Sequence, residues 1–116
     1  KVRLWTNALF PIDVLEYVSS YVSEYILYVP NTDPEEYQFT TGFGTWDEFE
    51  EKFKYLVGEG YSVKLNFPIK FETFGELPRV YEFAYYNRVP LIIHYSSNFC
   101  TRTIIVSLLL LLIEIL

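Results

Sequence analysis

Apolar and polar residues alternate along the middle of this chain. Tyr61, Val63, Leu65, Phe67, Ile69 and Phe71 point one way, and Ser62, Lys64, Asn66, Pro68, Lys70 and Glu72 point the other. A period of two predicts a β-strand with one buried face. Pro68 has no amide hydrogen to give to a ladder, so the strand is expected at a sheet edge or bent at that point. Gly75-Glu76-Leu77-Pro78 reads as a connection, and Arg79–Tyr86 as a second strand pairing back as a hairpin. Asn87-Arg88-Val89-Pro90 breaks that strand, and Leu91–Tyr95 forms another short one. At the start of the chain, Val2–Trp5 is short and β-prone.

Elsewhere the spacing is helical. Thr6-Asn7 and Pro11 turn the chain into a helix over 12–22, where Leu15, Val18 and Val22 recur, followed by a strand over 24–29. Asp33 suits an N-cap with Pro34 at the first helical position, and the run from Thr40 to Gly44 ends this short piece. Thr45-Trp46-Asp47-Glu48 is a capping box opening a helix with its apolar stripe at Phe49, Phe53 and Leu56 or Val57, stopped by Gly58 and Gly60. The stretch from Thr103 to Leu116 is almost wholly apolar but shorter than the roughly 20 residues that span a bilayer. It is read as a buried strand, the alternatives being an apolar helix in an oligomer or a truncated membrane anchor. Together these elements predict a single α+β domain over 1–116, a mixed β-sheet of about five strands flanked by two or three helices.

Composition narrows the chemistry. The 116 residues are 51% hydrophobic and 21% charged, which is globular, and 20% are aromatic, with eleven Tyr and ten Phe. A tyrosine-rich half-exposed sheet explains that more simply than a dedicated aromatic ligand platform. Cys100 is the only cysteine and His94 the only histidine, so neither a disulfide nor a Cys/His metal cluster can form within the chain. A reducing, intracellular setting follows, and the absence of Met with a single Gln is compatible with a thermophile. The net charge of −6 is unevenly distributed: ten acids and no Lys or Arg lie between Leu4 and Glu51. Phosphate-binding surfaces need clustered bases, so duplex DNA is not an expected partner, and a basic protein surface is an easier one. No nucleophile motif surrounds Ser96 or Ser97, and no P-loop, zinc motif or dinucleotide fingerprint occurs. His94, in an apolar strand, reads as a hydrogen-bonded structural side chain. No catalytic residue, metal or cofactor is therefore assigned.

Several segments together resemble a family of small crenarchaeal-virus proteins that includes the type III anti-CRISPR ring nucleases. The segments are Val2-Arg3-Leu4-Trp5-Thr6-Asn7-Ala8-Leu9, Gln38-Phe39-Thr40-Thr41-Gly42-Phe43-Gly44, Tyr86-Asn87-Arg88-Val89-Pro90 and the closing Leu112-Ile113-Glu114-Ile115. The resemblance implies a homodimer of a mixed sheet flanked by helices, in a host cytoplasm, holding the cyclic oligonucleotide cyclic tetra-adenylate around Asn7, Gly44, Thr45 and Arg88. The catalytic His of that family falls on Thr45, its Thr on Glu48, and the Glu that follows its Arg falls on Leu91. A threonine hydroxyl is no general acid near neutral pH, so binding without ring cleavage is the expectation. The alternative is a non-enzymatic acidic protein that covers a basic surface of a host protein.

Overall fold

The computed structural model describes residues 2–41, 44–71 and 73–95. Four strands, β1 (Val2–Thr6), β2 (Val22–Tyr28), β3 (Val63–Ile69) and β4 (Leu91–Tyr95), form one sheet in the order β1-β2-β3-β4, every pairing parallel. Between them run α1 (Ile12–Val18), α2 (Pro34–Thr41), α3 (Trp46–Gly58), and a 3-10 turn (Phe74–Glu76) leading into α4 (Leu77–Tyr86). Parallel neighbours need a crossover, and crossovers are right-handed. When strand order follows chain order, that handedness keeps stacking helices on the same face.

The core shows this one-sidedness. Leu15 of α1, Tyr37 of α2, Phe49, Phe53 and Leu56 of α3, and Leu77, Val80 and Ala84 of α4 form one cluster with Tyr25, Leu27, Val63, Leu65, Phe67 and Ile69 of the sheet. Trp46, Phe49, Phe53, Phe83 and Tyr37 stack or meet edge-on within it, at centroid distances of 5.1 to 6.1 Å. By the strand alternation, the opposite face carries Arg3 and Trp5 of β1, Glu24, Ile26 and Tyr28 of β2, Lys64 and Asn66 of β3, and Ile92 and His94 of β4. None of these belongs to the helix-side core. Glu24 ties this face together, meeting Arg3 of β1 at 3.4 Å and Lys64 of β3 at 3.1 Å.

The expected domain of helices around one sheet forms, with three departures. Arg79–Tyr86 belongs to α4 and is not a hairpin strand. Leu77, Val80 and Ala84 are buried at i, i+3 and i+7, a helical stripe that wins over β-prone composition, and Pro78 fits the first turn. Because a helix now separates β3 from β4, their pairing is parallel and the described sheet is not mixed. Finally, β3 is a central strand, although it contains Pro68. Leu65 donates to Pro90 O on the β4 side and Asn66 O accepts from Val29 on the β2 side, so position 68 also faces β2. The β2 ladder has already ended at Tyr28, opposite Asn66, so no bond is lost there. The proline carbonyl accepts the Thr73 hydroxyl instead.

The helix of 12–22 and strand of 24–29 appear as α1 and β2, the helix ending earlier at Val18. Asp33 accepts the Glu35 amide at the start of α2, and Thr45 Oγ1 accepts the Glu48 amide at 3.2 Å at the start of α3, both as the sequence predicts. The strand assigned to Thr103–Leu116, Cys100 and Gly42 lie outside the described residues. Within those residues no helix is long and apolar enough to cross a membrane.

Candidate functional site

In open parallel sheets ligands collect beyond the carboxyl ends of the strands. Here that end begins with the turn after β1. Thr6 Oγ1 accepts the Ala8 amide at 3.2 Å, and Asn7 Oδ1 accepts the Leu9 amide at 3.1 Å, two side-chain turns in succession. They hold Ala8 at φ 63°, fully buried, in the left-handed region that an alanine rarely enters. Leu9 then packs on Gly44, where a Cβ would fall 2.5 Å from Leu9 Cδ1 and φ is +74°. The backbone favours glycine there, since φ +74° is a conformation that L side chains rarely adopt, and a Cβ would also have to displace the end of the Leu9 side chain. Thr45 follows as the N-cap of α3, its hydroxyl also 3.3 Å from Glu48 Oε1.

Beside this turn, on the face opposite the helix-packed core, lies an open cleft of ≈ 480 Å³ lined by Trp5, Thr6, Asn7, Ile26, Tyr28, Thr41 and Asn66. The strand register places Trp5 across from Ile26 and Tyr28 across from Asn66. Ile26 and Asn66 are buried, whereas the Trp5 indole is 56% exposed at the edge strand. Burial pushes the Tyr28 hydroxyl above its ordinary range, so it stays a neutral phenol. Asn66 is fixed by His94, whose Nδ1 lies 2.6 Å from Asn66 Oδ1. Among the described residues that line it, none is a carboxylate, imidazole, amine or thiol.

The four residues singled out by the family resemblance do not converge. Asn7 lines the cleft, whereas Gly44 packs against Leu9 and Thr45 caps α3, and neither is among the lining residues. Arg88 precedes β4 and therefore sits at the amino end of the parallel sheet, the other end of the molecule from Asn7. It borders a second open hollow of ≈ 450 Å³ with Tyr61, Ser62, Lys64 and Asn87. Its backbone is at φ 56°, because Arg88 closes α4: Val89 donates to Ala84 O and Arg88 to Tyr85 O. That pair of bonds is the Schellman ending, which normally places glycine where Arg88 stands. α3 ends with the same two bonds, Tyr61 to Leu56 O and Gly60 to Val57 O, with Gly60 at φ +81°.

Sequence reasoning found Asn7 but not Trp5, Tyr28 or Asn66. Alternation assigned Asn66 and His94 to polar or apolar strand positions, and their meeting across 28 residues depends on β3–β4 register. Among the described residues no three His, Cys, Asp or Glu side chains gather as metal ligands do. No family model, curated protein or solved structure matches the chain.

Proposed function

We propose that this protein binds a small ligand with a planar heteroaromatic ring in the Trp5–Asn66 cleft and does not transform it. The observation that carries this reading is the cleft's composition: an exposed indole, a neutral phenol and two carboxamides at the carboxyl end of a parallel sheet. General acid–base catalysis needs a group that titrates near the working pH, and the described residues of the lining supply none. An aromatic wall with amide edges suits a nucleobase, for which stacking contributes about 1–3 kcal/mol per base. The family resemblance of the sequence points to an adenylate, and cyclic tetra-adenylate is the ligand it suggests. In the homodimer implied by the same resemblance, Arg88 would come to a cleft from the second copy, since within one chain it lies at the far end of the sheet.

The reading of the chain as an acidic protein that covers a basic host surface has less support. Glu50 is matched by Lys54 at 3.5 Å and Glu51 by Lys52 at 2.9 Å, so part of the acidic half is compensated within α3.

Calorimetric titration with cyclic tetra-adenylate and with adenosine monophosphate tests the proposal. Heat of binding without cleaved product is expected. Trp5→Ala should weaken it by about fivefold to a hundredfold, the loss of one stacked base. Absence of heat at millimolar ligand overturns the reading.

A further inference from the structure

We infer that the cleft is a hydrogen-bond donor site, selecting planar ligands that present in-plane acceptors, and that His94 is the positioning residue that makes Asn66 such a donor. The inference rests on the cleft being a ligand site, and concerns which chemistry it accepts.

Three polar side chains of the cleft have their oxygen engaged within the protein. Thr6 Oγ1 takes the Ala8 amide, Asn7 Oδ1 takes the Leu9 amide, and Asn66 Oδ1 faces His94 Nδ1 at 2.6 Å. Among the described residues, no partner is present for the Asn7 and Asn66 Nδ2 groups. A carboxamide carries an acceptor oxygen and two N–H donors on opposite sides, so turning the oxygen to its protein partner leaves the donors as the edge turned to the cleft. The Thr6 hydroxyl proton is likewise uncommitted. Ring nitrogens and exocyclic carbonyls answer this arrangement, whereas a ligand offering only N–H groups would meet donors and leave them unpaired. A buried polar group without a partner discriminates more sharply than an added attraction does.

Asn66 matters most because it is 6% exposed and lies across from Tyr28 in the central strand, where a donor has little competing water. Its amide could rotate to present either atom. With Nδ1–H of His94 donating to Oδ1, the rotamer that points Nδ2 toward the cleft is held. His94 itself does not line the cleft, and acts only through Asn66.

The test uses two bicyclic probes of similar size, quinoline, which has a ring-nitrogen acceptor and no N–H, and indole, which has an N–H and no in-plane acceptor. Binding is followed by Trp5 resonances in NMR titrations of the full chain, beside adenosine monophosphate. The wild-type protein should prefer quinoline about tenfold, the worth of one neutral hydrogen bond with its unpaired alternative. Asn66→Asp, which replaces the donor with an acceptor of the same shape, should invert the order. His94→Phe should bring the ratio close to one while both probes still shift Trp5. Loss of fold cannot imitate an inverted preference. Equal binding of both probes, with the ratio unchanged in Asn66→Asp, overturns the inference and leaves the cleft intact as a site. No Trp5 shift with quinoline, indole or the nucleotide overturns the cleft reading and the inference together.

Discussion

Arg88 and Gly60 occupy the same position of the same helix ending, one at φ 56° and the other at +81°. A left-handed residue with a side chain costs about 1–2 kcal/mol relative to its ordinary conformation, a cost glycine avoids. Arg88→Gly should therefore raise stability by about 1 kcal/mol and Gly60→Ala lower it by a similar amount, read from urea midpoints. Tyr37 is a second strained case of a different kind. Its side chain is fully buried among Trp46 and Phe49, and among the described residues its hydroxyl has no hydrogen-bond partner. Tyr37→Phe removes that unsatisfied group and should stabilise the protein by about 1 kcal/mol. The same burial, with the nearby Tyr28 and Glu48, pushes the Tyr37 hydroxyl up to about 12. The folded form thus resists ionisation, and this contribution is whole below about pH 10, the ordinary phenol value, and lost as pH rises toward 12. Alkaline unfolding should accordingly start at higher pH in Tyr37→Phe than in the wild type. At this scale the sequence was legible wherever an interaction is local. Thr45 with Glu48, Asp33 with Glu35 and the turn at Asn7 all span three residues or fewer. Asn66 with His94 was not legible, because strand register brings them together.

Elements were legible when pattern and termini agreed. α3 has a capping residue, an apolar stripe and a glycine stop, and its bounds Trp46–Gly58 follow from them. Thr45→Ala should destabilise the protein by about 1 kcal/mol through the lost Glu48 amide bond, measured by denaturant unfolding, with ligand affinity unchanged because Thr45 does not line the cleft. α4 was misread because Val80, Tyr81, Phe83, Tyr85 and Tyr86 favour strands individually. Burial follows Leu77, Val80 and Ala84, and leaves Tyr81, Tyr85 and Tyr86 exposed on the outer side. Packing of one stripe decided the conformation, as it does for short helices generally. The same misreading changed the sheet, since an antiparallel hairpin became a parallel crossover. Pro68 compounded it: the rule against proline in central strands concerns a ladder bond, and here the neighbouring strand had stopped short of it.

At the scale of the molecule, the sheet has a packed face and a second face organised by charge at one end and by the cleft at the other. Glu24 stands in the middle of the charged end, its side chain 14% exposed, between Arg3 of β1 and Lys64 of β3, with the Ser62 hydroxyl 3.4 Å away. The hydrogen bond from Lys64 holds its carboxyl below the ordinary value of 4.5, against the opposing pull of burial and with help from the Lys64 and Arg3 charges and from Ser62. Ion pairs on open surfaces contribute little, but this one bridges three strands on the face opposite the helix-side core. A carboxylate whose pKa is lowered by folding contributes stability that is whole above its unfolded value and disappears as pH falls through the folded one. Glu24→Gln should therefore be less stable than the wild type near neutral pH, and the two should converge as pH drops below 4.5. Urea denaturation of both proteins at neutral and acid pH measures the gap. A gap that persists unchanged in acid would show that shape and hydrogen bonding at position 24, and not its charge, join β1, β2 and β3. Because the cleft lies at the opposite end of the strands, nucleotide affinity at neutral pH should be the same in both proteins, which separates the charge that holds this face from the donors that read the ligand.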